Sequence, residues 1–193
     1  MENRKVRIIA ISAPSGSGKT TIVRKVLKDI PELVFSVSAT TRKRRKEEKE
    51  GADYYFISEN EFKKKIDNNE FIEWEKFYDY YYGTYKNIID NAVSDGKTII
   101  LEVDVKGALS LKKIYPDAVL IYIVPPSFDE LVNRLVKRKT EDEADLQKRI
   151  DRAKMELELK DEFDYFVDNT ELEKAVIETE SLIKKIISKE NNK

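Results

Sequence analysis

A short stretch near the start of the chain, SAPSGSGKTT at Ser12–Thr21, limits the possible folds more than any other feature. It follows a β-branched apolar run, VRIIAI, that suits a strand buried on both faces. It precedes KTTIVRKVLKDI, whose apolar residues have helical spacing. The stretch matches the pattern G-x-x-x-x-G-K-[ST], except that Ala13 occupies the first glycine position. A strand, a glycine-rich turn and a helix in this order predict a loop that binds phosphate through backbone N–H groups.

The residue types in this stretch suit a nucleoside triphosphate. Glycine lets the backbone approach phosphate oxygens closely, a lysine can reach the β- and γ-phosphates, and a threonine hydroxyl can coordinate Mg²⁺. Alanine is acceptable at position 13 if its φ is negative. An incidental glycine-rich turn is the alternative. The predicted triphosphate-binding residues are Ala13, Pro14, Ser15, Gly16, Ser17, Gly18, Lys19, Thr20 and Thr21, with Thr20 as the metal ligand.

The composition excludes several kinds of chemistry. The 193 residues include no cysteine and no histidine, which removes disulfides, thiolate sites and the commonest general base. A net charge of −1 argues against a general nucleic-acid binder or a protein that binds anionic membranes. The first apolar run is too short for a signal peptide or a membrane span, so we expect a cytoplasmic protein.

Short apolar runs alternate with helical patterns along the rest of the chain. LVFSVS, TIILEVD, AVLIYIV and YFVDN have the composition of buried strands. The alternation predicts an α/β fold with a parallel sheet flanked by helices. We assign this core to residues 1–36, 91–126 and 161–193.

Two stretches interrupt the alternation. Residues 37–90 are polar and aromatic, with short strands around YYF, FIEWEKF and YYGTY, and with a helix that starts at a capping box, Ser58–Glu61. We interpret them as a small α+β insertion. Residues 127–160 are strongly charged and helical, with capping boxes at Ser127–Glu130 and Thr140–Glu143. We interpret them as a mobile lid rather than as part of the core.

Carboxylates and arginines supply further candidates for a binding site. In LEVDVKG, alternation along the strand places Glu102 and Asp104 on one face at the sheet edge where ligands bind. Either carboxylate could orient Mg²⁺ through water or contact a second substrate, and a buried structural carboxylate is the alternative. In SVSATTRKRRKEEKEGADYYF, Arg42 and Arg45 suit a dianionic phosphate monoester, together with nearby hydroxyls. A solvated charge run or a nuclear-localisation patch is the alternative.

Taken together, these motifs resemble the guanylate kinase family. SAPSGSGKTT, SVSATTRxxRxxExxGxDYxF, NNEFIEW, YYGT, LEVDVKG and LVNRLVKRKTEDEADLQKRI occur in order from about Ile8 to about Asn169. The resemblance implies a P-loop core, a GMP-binding insertion and a lid. It also implies transfer of the γ-phosphoryl group of ATP to GMP with Mg²⁺, so the expected partners are ATP and GMP.

The resemblance also implies roles for individual residues. The implied GMP-binding residues are Ser38, Arg42, Arg45, Tyr54, Glu73, Tyr82, Thr84 and Asp104, of which Glu73, Thr84 and Asp104 would read guanine. The glycine-rich loop, Arg134 and Arg138 would bind ATP, and the implied catalytic residues are Lys19, Arg45, Arg138 and Arg149. We assign Arg152 to the helix surface, as a residue that aids solubility.

Glu73 makes chemical sense as a guanine reader. Its carboxylate only accepts hydrogen bonds, and guanine offers N1–H and an N2 amine side by side. Adenine would leave that carboxylate partly unpaired. In FIEWEKF, alternation puts Glu73 and Glu75 on the same side, so only the resemblance selects Glu73.

Other functions remain open at this point. A non-catalytic guanylate-kinase-like module would bind a protein in the old GMP cleft, but such modules have typically lost the loop lysine or glycines that are present here. A kinase for another nucleotide or for a phosphorylated sugar would share the core, and the presence of Glu73 favours guanine. A plain ATPase or GTPase would not need the second phosphate site. The sequence leaves the oligomeric state open.

Overall fold

The structure is a computed structural model that describes residues 8–77, 79–137 and 143–188. In chain order the strands are β1 (Ile8–Ser12), β2 (Val34–Ser36), β3 (Ala39–Thr40), β4 (Tyr55–Phe56), β5 (Phe71–Phe77), β6 (Tyr80–Tyr85), β7 (Ile99–Glu102), β8 (Val119–Val124) and β9 (Tyr165–Asp168). The α-helices are α1 (Lys19–Asp29), α2 (Glu59–Asp67), α3 (Lys86–Ser94), α4 (Val105–Ile114), α5 (Phe128–Lys137), α6 (Glu143–Glu158) and α7 (Leu172–Ser188).

The larger sheet is parallel and has the strand order β2-β7-β1-β8-β9. Its central strand, β1, is apolar from Ile8 to Ile11 and fully buried, as expected for a strand that helices cover on both faces. On one face Ile9 and Ile11 pack with apolar residues of α1 and α7. On the other face Ile8 and Ala10 pack with residues of α3 and α4. The predicted α/β class with a flanked parallel sheet is confirmed.

The smaller sheet has the order β4-β3-β6-β5 and lies within the predicted insertion. It packs against α2, where the rings of Phe62 and Phe71 stack with their centres 4.4 Å apart. The backbone of Gly83 runs close to these rings, since a Cβ there would lie 2.9 Å from Phe62 Cζ. The hydroxyl of Ser58 accepts the Glu61 N–H at the start of α2, as the capping box predicts.

The carboxyl ends of β1 and β7 meet at one edge of the larger sheet, where Ile11 pairs with Glu102. The loop after β1 and the start of α4 after β7 therefore lie side by side. The predicted strand through Asp104 is too long: β7 ends at Glu102, and Asp104 caps α4 by accepting the Gly107 N–H at 2.7 Å. This capping turn directs Asp104 toward the same edge as Glu102.

Helix α5 begins as the capping box predicts, with the Glu130 N–H donating to Ser127 Oγ at 3.1 Å. Its leucines, Leu131 and Leu135, are buried and would contact a Cβ at Gly16. An apolar face of this predicted lid segment is therefore packed on the loop after β1. The other capping box, Thr140–Glu143, reaches outside the described residues, and the three-part division of the chain stays a prediction. Among the residues described, no helix is long and apolar enough to cross a membrane.

Candidate active site

The loop after β1 opens onto a cleft of about 320 Å³ between the two sheets. It brings together most of the residues predicted for the site. Those that line it are Ala13, Pro14, Ser15, Gly16, Ser17, Gly18, Lys19, Thr20, Thr21, Ser38, Arg42, Arg45, Tyr54, Glu73, Tyr82, Asp104 and Arg149. Residues that were not predicted also line it, among them Phe77, Arg152 and Glu156.

The loop has the backbone shape that phosphate binding needs. Gly16 and Gly18 have φ values of 95° and 85°, which disfavour residues that carry a Cβ. Gly18 is the N-cap of α1, so the first N–H groups of that helix face the cleft. Ala13 has the negative φ that alanine requires at this position, because among the described non-glycine residues only Asn69 has a positive φ. Alanine at the first position is thus compatible with the loop.

A residue far along the chain supports this loop. Asn169, which follows β9, is buried and donates from Nδ2 to the Ser17 carbonyl oxygen at 2.6 Å. A Cβ on Gly18 would lie 2.7 Å from the same nitrogen. This role of Asn169 could not be predicted from the sequence, since no local pattern links residues so far apart.

Lys19 and Thr20 meet the end of β7 at the base of the cleft. Lys19 Nζ donates to the Val103 carbonyl oxygen at 2.7 Å and lies 3.9 Å from Glu102 Oε1. The hydroxyl of Thr20 donates to the same carboxylate oxygen of Glu102. The loop and the end of β7 thus bring a cation, a hydroxyl and a carboxylate together, which are groups that bind phosphate and a hard cation.

Arg42 lies at the insertion side of the cleft with a carboxylate and two phenols. It pairs with Glu48, with Nη1 and Nη2 each donating to one carboxylate oxygen at 3.0 and 2.7 Å. Its guanidinium lies 5.5 Å from the ring centre of Tyr54, which contacts Tyr82 edge to face. Burial lowers the pKa of Arg42, but Glu48 and Tyr82 together outweigh it and leave that pKa raised. The guanidinium is therefore a fixed cation at this position.

Glu48 orders the loop that carries both predicted phosphate-binding arginines. Its Oε2 also accepts the backbone N–H of Arg45 at 2.8 Å. Burial raises the pKa of the Glu48 carboxyl, and the Arg42 and Arg45 donors lower it further than burial raises it. Glu48 is the acidic position of the motif SVSATTRxxRxxExxGxDYxF, but the sequence alone gives no reason to expect that its carboxylate binds Arg42.

The side chain of Glu73, a residue of β5, lies between β6 and the first turn of α4. Its Oε1 accepts the hydroxyl of Thr84 at 2.5 Å, and its Oε2 would lie 2.9 Å from a Cβ at Gly107. Burial raises the pKa of Glu73 to about 7, and the nearby charges of Asp104 and Glu75 add to this effect. Thr84 is itself buried and is not among the described residues that line the cleft. Its contribution to the site is the hydrogen bond that holds the Glu73 carboxylate.

The arginines of the predicted lid differ in their position relative to the cleft. Arg149 of α6 lines the cleft. Among the described residues, Arg134 does not line it and instead pairs with Glu130 along α5 at 2.9 Å. Arg138 lies outside the described residues. The assignment of Arg152 to the helix surface is wrong, since its side chain is only 14% exposed and pairs with Glu75 of β5.

A phosphate-binding loop shares one cleft with arginines, phenols and a carboxylate, and this defines a class of protein: a P-loop enzyme with a second group of side chains suited to phosphate. The family model described as guanylate kinase matches residues 5–186. The chain therefore belongs to the guanylate kinase family, and it transfers the γ-phosphoryl group of ATP to GMP.

Individual relatives agree with this assignment. A guanylate kinase of Thermotoga maritima is 46% identical over 180 residues, which cover 93% of this chain and 87% of the relative. A guanylate kinase of Clostridioides difficile is 40% identical over 190 residues, 98% of this chain and 91% of the relative. The crystal structure of guanylate kinase from Anaplasma phagocytophilum is similar with a TM-score of 0.79 at 30% identity, covering 95% of this chain and 87% of that one.

Proposed function

We propose that the two substrates of this ATP:GMP phosphotransferase bind at opposite sides of the one cleft. The observation that carries the proposal is that the glycine-rich loop and Glu73 line the same cleft. A triphosphate at the loop and a guanine at Glu73 would put the GMP phosphate between them, beside Arg42 and Arg45.

ATP binds at the loop of residues 13–21. The N–H groups at the start of α1 and the Lys19 ammonium bind its β- and γ-phosphates. Arg149 lines the same cleft and neutralises charge on the γ-phosphoryl group. Arg134 and Arg138 also bind ATP in this proposal, and Arg138 is in addition a catalytic residue.

The donor set at Thr20 fits Mg²⁺. Mg²⁺ in such enzymes takes one or two protein oxygens and completes its shell with phosphates and water. The Thr20 hydroxyl would bind it directly, and Glu102, which accepts that hydroxyl here, would hold one of its waters. Among the described residues there is no larger cluster of acidic side chains arranged to hold a metal ion. Bound there, Mg²⁺ supplies positive charge that stabilises the charge developing on the phosphates.

GMP binds with its phosphate at Arg42, Arg45, Tyr54 and Tyr82, near Ser38. Its base binds at Glu73 and Asp104, and Thr84 belongs to this base site through its hydrogen bond to the Glu73 carboxylate. The ion pair of Arg42 with Glu48 presents the guanidinium in one orientation. The ionised Glu73 carboxylate accepts from guanine N1–H and the N2 amine, and this pairing excludes adenine.

The chemical step needs no general base, because the nucleophile is an oxygen of the ionised GMP phosphate. This oxygen bonds to the γ-phosphorus while the bond from that phosphorus to the β,γ-bridging oxygen breaks, and ADP leaves with the electron pair. Lys19, Arg45, Arg138 and Arg149 stabilise the charge on the transferred group. The absence of histidine from the chain is consistent with this chemistry.

Replacing Gly107 by alanine tests the GMP side of the proposal. The added Cβ would lie 2.9 Å from Glu73 Oε2, so the carboxylate must move. Alanine also favours a helix over glycine, so the fold should not be weakened. We expect KM for GMP to rise about tenfold, since misplacement of a contact by a fraction of an ångström has effects of this size. KM for ATP and Tm should stay unchanged or improve.

Lys106→Ala is the matched control, because this exposed residue lies one position earlier in the same turn of α4. Its kinetics should match those of the unmodified enzyme within about twofold, as expected for an exposed side chain. An unchanged KM for GMP in Gly107→Ala would contradict the proposed base site.

A further inference from the structure

Arg152 lines the cleft with a side chain that is only 14% exposed, and among the described arginines of the cleft it is the one that the proposed reaction does not use. Its Nη2 donates to Glu75 Oε2 at 2.7 Å, and its Nε donates to Glu156 Oε1 at 2.6 Å. The same Nη2 lies 3.4 Å from Asp104 Oδ2. Its guanidinium carbon also lies 4.0 Å from the ring centre of Phe77. One side chain of α6 thereby contacts β5, the N-cap residue of α4 and its own helix.

The planar guanidinium suits this position better than another cation would. Its N–H groups point outward in a fixed fork, so it can bind several acceptors in one orientation while its face lies on an aromatic ring. The contacts with Glu156 and Phe77 fix the plane of the Arg152 guanidinium group. The hydrogen bond to Glu75 fixes the direction of its Nη2 within that plane. Arg152 is therefore held in place before it meets Asp104.

The two carboxylate oxygens of Asp104 have different partners: one caps helix α4 and the other faces Arg152. Its Oδ1 accepts the Gly107 N–H at 2.7 Å, and Oδ2 faces the guanidinium. Without a cation there, Asp104, Glu73 and Glu75 would be neighbouring carboxylates that repel one another, and the Asp104 side chain would turn toward solvent.

We infer that Arg152 is a positioning residue of the GMP pocket: anchored by Glu75, Glu156 and Phe77, it holds the Asp104 carboxylate in the orientation that binds GMP. This inference rests on the proposed role of Asp104 in GMP binding. Arg152 acts through Asp104 and does not itself touch the transferred phosphoryl group. The ion pair with Glu75 also ties α6, which carries Arg149, to the strand that carries Glu73.

A double-mutant cycle between Arg152 and Asp104 tests the inference. Arg152→Lys keeps a cation beside the buried Glu156, so the variant should fold, but it loses the planar fork. Asp104→Asn keeps a good N-cap for α4. We expect Arg152→Lys to raise KM for GMP about tenfold, with KM for ATP within about twofold of the unmodified value. In the Asp104→Asn background the same change should raise KM for GMP by less than about twofold, because its target is already lost.

Lys154→Ala is the control, since this exposed residue removes a positive charge from the same helix. The inference is overturned if Arg152→Lys leaves KM for GMP unchanged, or if its effect is equally large in the Asp104→Asn background. It is also overturned if both KM values rise together with a fall in Tm, which would indicate a purely structural role. A Glu73→Gln variant separates the two hypotheses. If it still impairs GMP use, only the inference about Arg152 has failed. If it does not, the proposed GMP site has failed.

Discussion

Replacing Lys19 by methionine is expected to lower kcat by about 10³-fold, the effect typical of removing a charged group that stabilises a transferring phosphoryl group. Lys19 lies at the start of α1, and its ammonium is held at the cleft by the Val103 carbonyl oxygen. Methionine has a similar length and no charge. The measurement is ADP formation at saturating Mg·ATP and GMP, with Tm recorded for each protein.

Lys25→Met is the matched control for this prediction. Lys25 lies on the same helix, but it is partly exposed and pairs with Glu173 at 2.5 Å, away from the cleft. Its kcat should stay within about twofold, since exposed ion pairs contribute little. A Lys19→Met enzyme that retains more than about a tenth of kcat would contradict the role given to the ammonium.

Glu73→Gln is expected to lower kcat/KM for GMP by about 10²-fold or more. The amide presents a donor toward guanine N1–H and N2, so a charge-assisted pair becomes a clash of donors, and each such bond contributes about 1.5–3 kcal/mol. The Thr84 hydroxyl can still donate to the amide oxygen, so the strand pairing is unaffected. KM for ATP should change little, because the loop is at the far side of the cleft.

The same carboxylate predicts the pH dependence of the reaction. Burial raises the pKa of Glu73 to about 7, and GMP binding needs the ionised form. For the unmodified enzyme, kcat/KM for GMP should therefore rise with pH through about 7 and level off above it. The Glu73→Gln profile should lack this rise and keep only the ionisation of the GMP phosphate, whose second pKa is about 6. Superimposable profiles would contradict the assignment.

Ionisation of Glu73 also has a cost in stability. Its folded-state pKa lies above the ordinary value of 4.5, so folding is disfavoured increasingly as the pH rises from about 4.5 to about 7. Glu73→Gln removes this cost, and its Tm at pH 8 should be no lower than that of the unmodified enzyme. A loss of activity without a loss of Tm would separate base recognition from folding.

Features set by local sequence could be predicted. The loop at residues 12–21 has its own pattern, and the strand before it and the helix after it follow from apolar spacing. The start of α2 at Ser58 and that of α5 at Ser127 follow from side chains that cap them within one turn. In each case the partners are neighbours in the chain, so the sequence contains both halves of the interaction.

Features that depend on distant partners could not be predicted. Asn169 supports the loop from the far end of the chain, and Arg152 finds Glu75 only because α6 and β5 face the same cleft. Arg152 has the spacing of an ordinary surface residue, and nothing local distinguishes it from its exposed neighbours. Likewise, the strong charge of residues 127–160 predicts a segment outside the core, whereas Leu131 and Leu135 are buried and pack α5 against the loop.

The most direct test of the proposed base site compares GMP with inosine monophosphate, which lacks only the 2-amino group. We expect the unmodified enzyme to prefer GMP in kcat/KM by about 10- to 100-fold, the effect of one hydrogen bond to a charged acceptor. In Glu73→Gln this preference should fall at least about fivefold, because the acceptor for that amine is lost. An equal preference in both enzymes would contradict the account and place the reading of guanine elsewhere in the cleft.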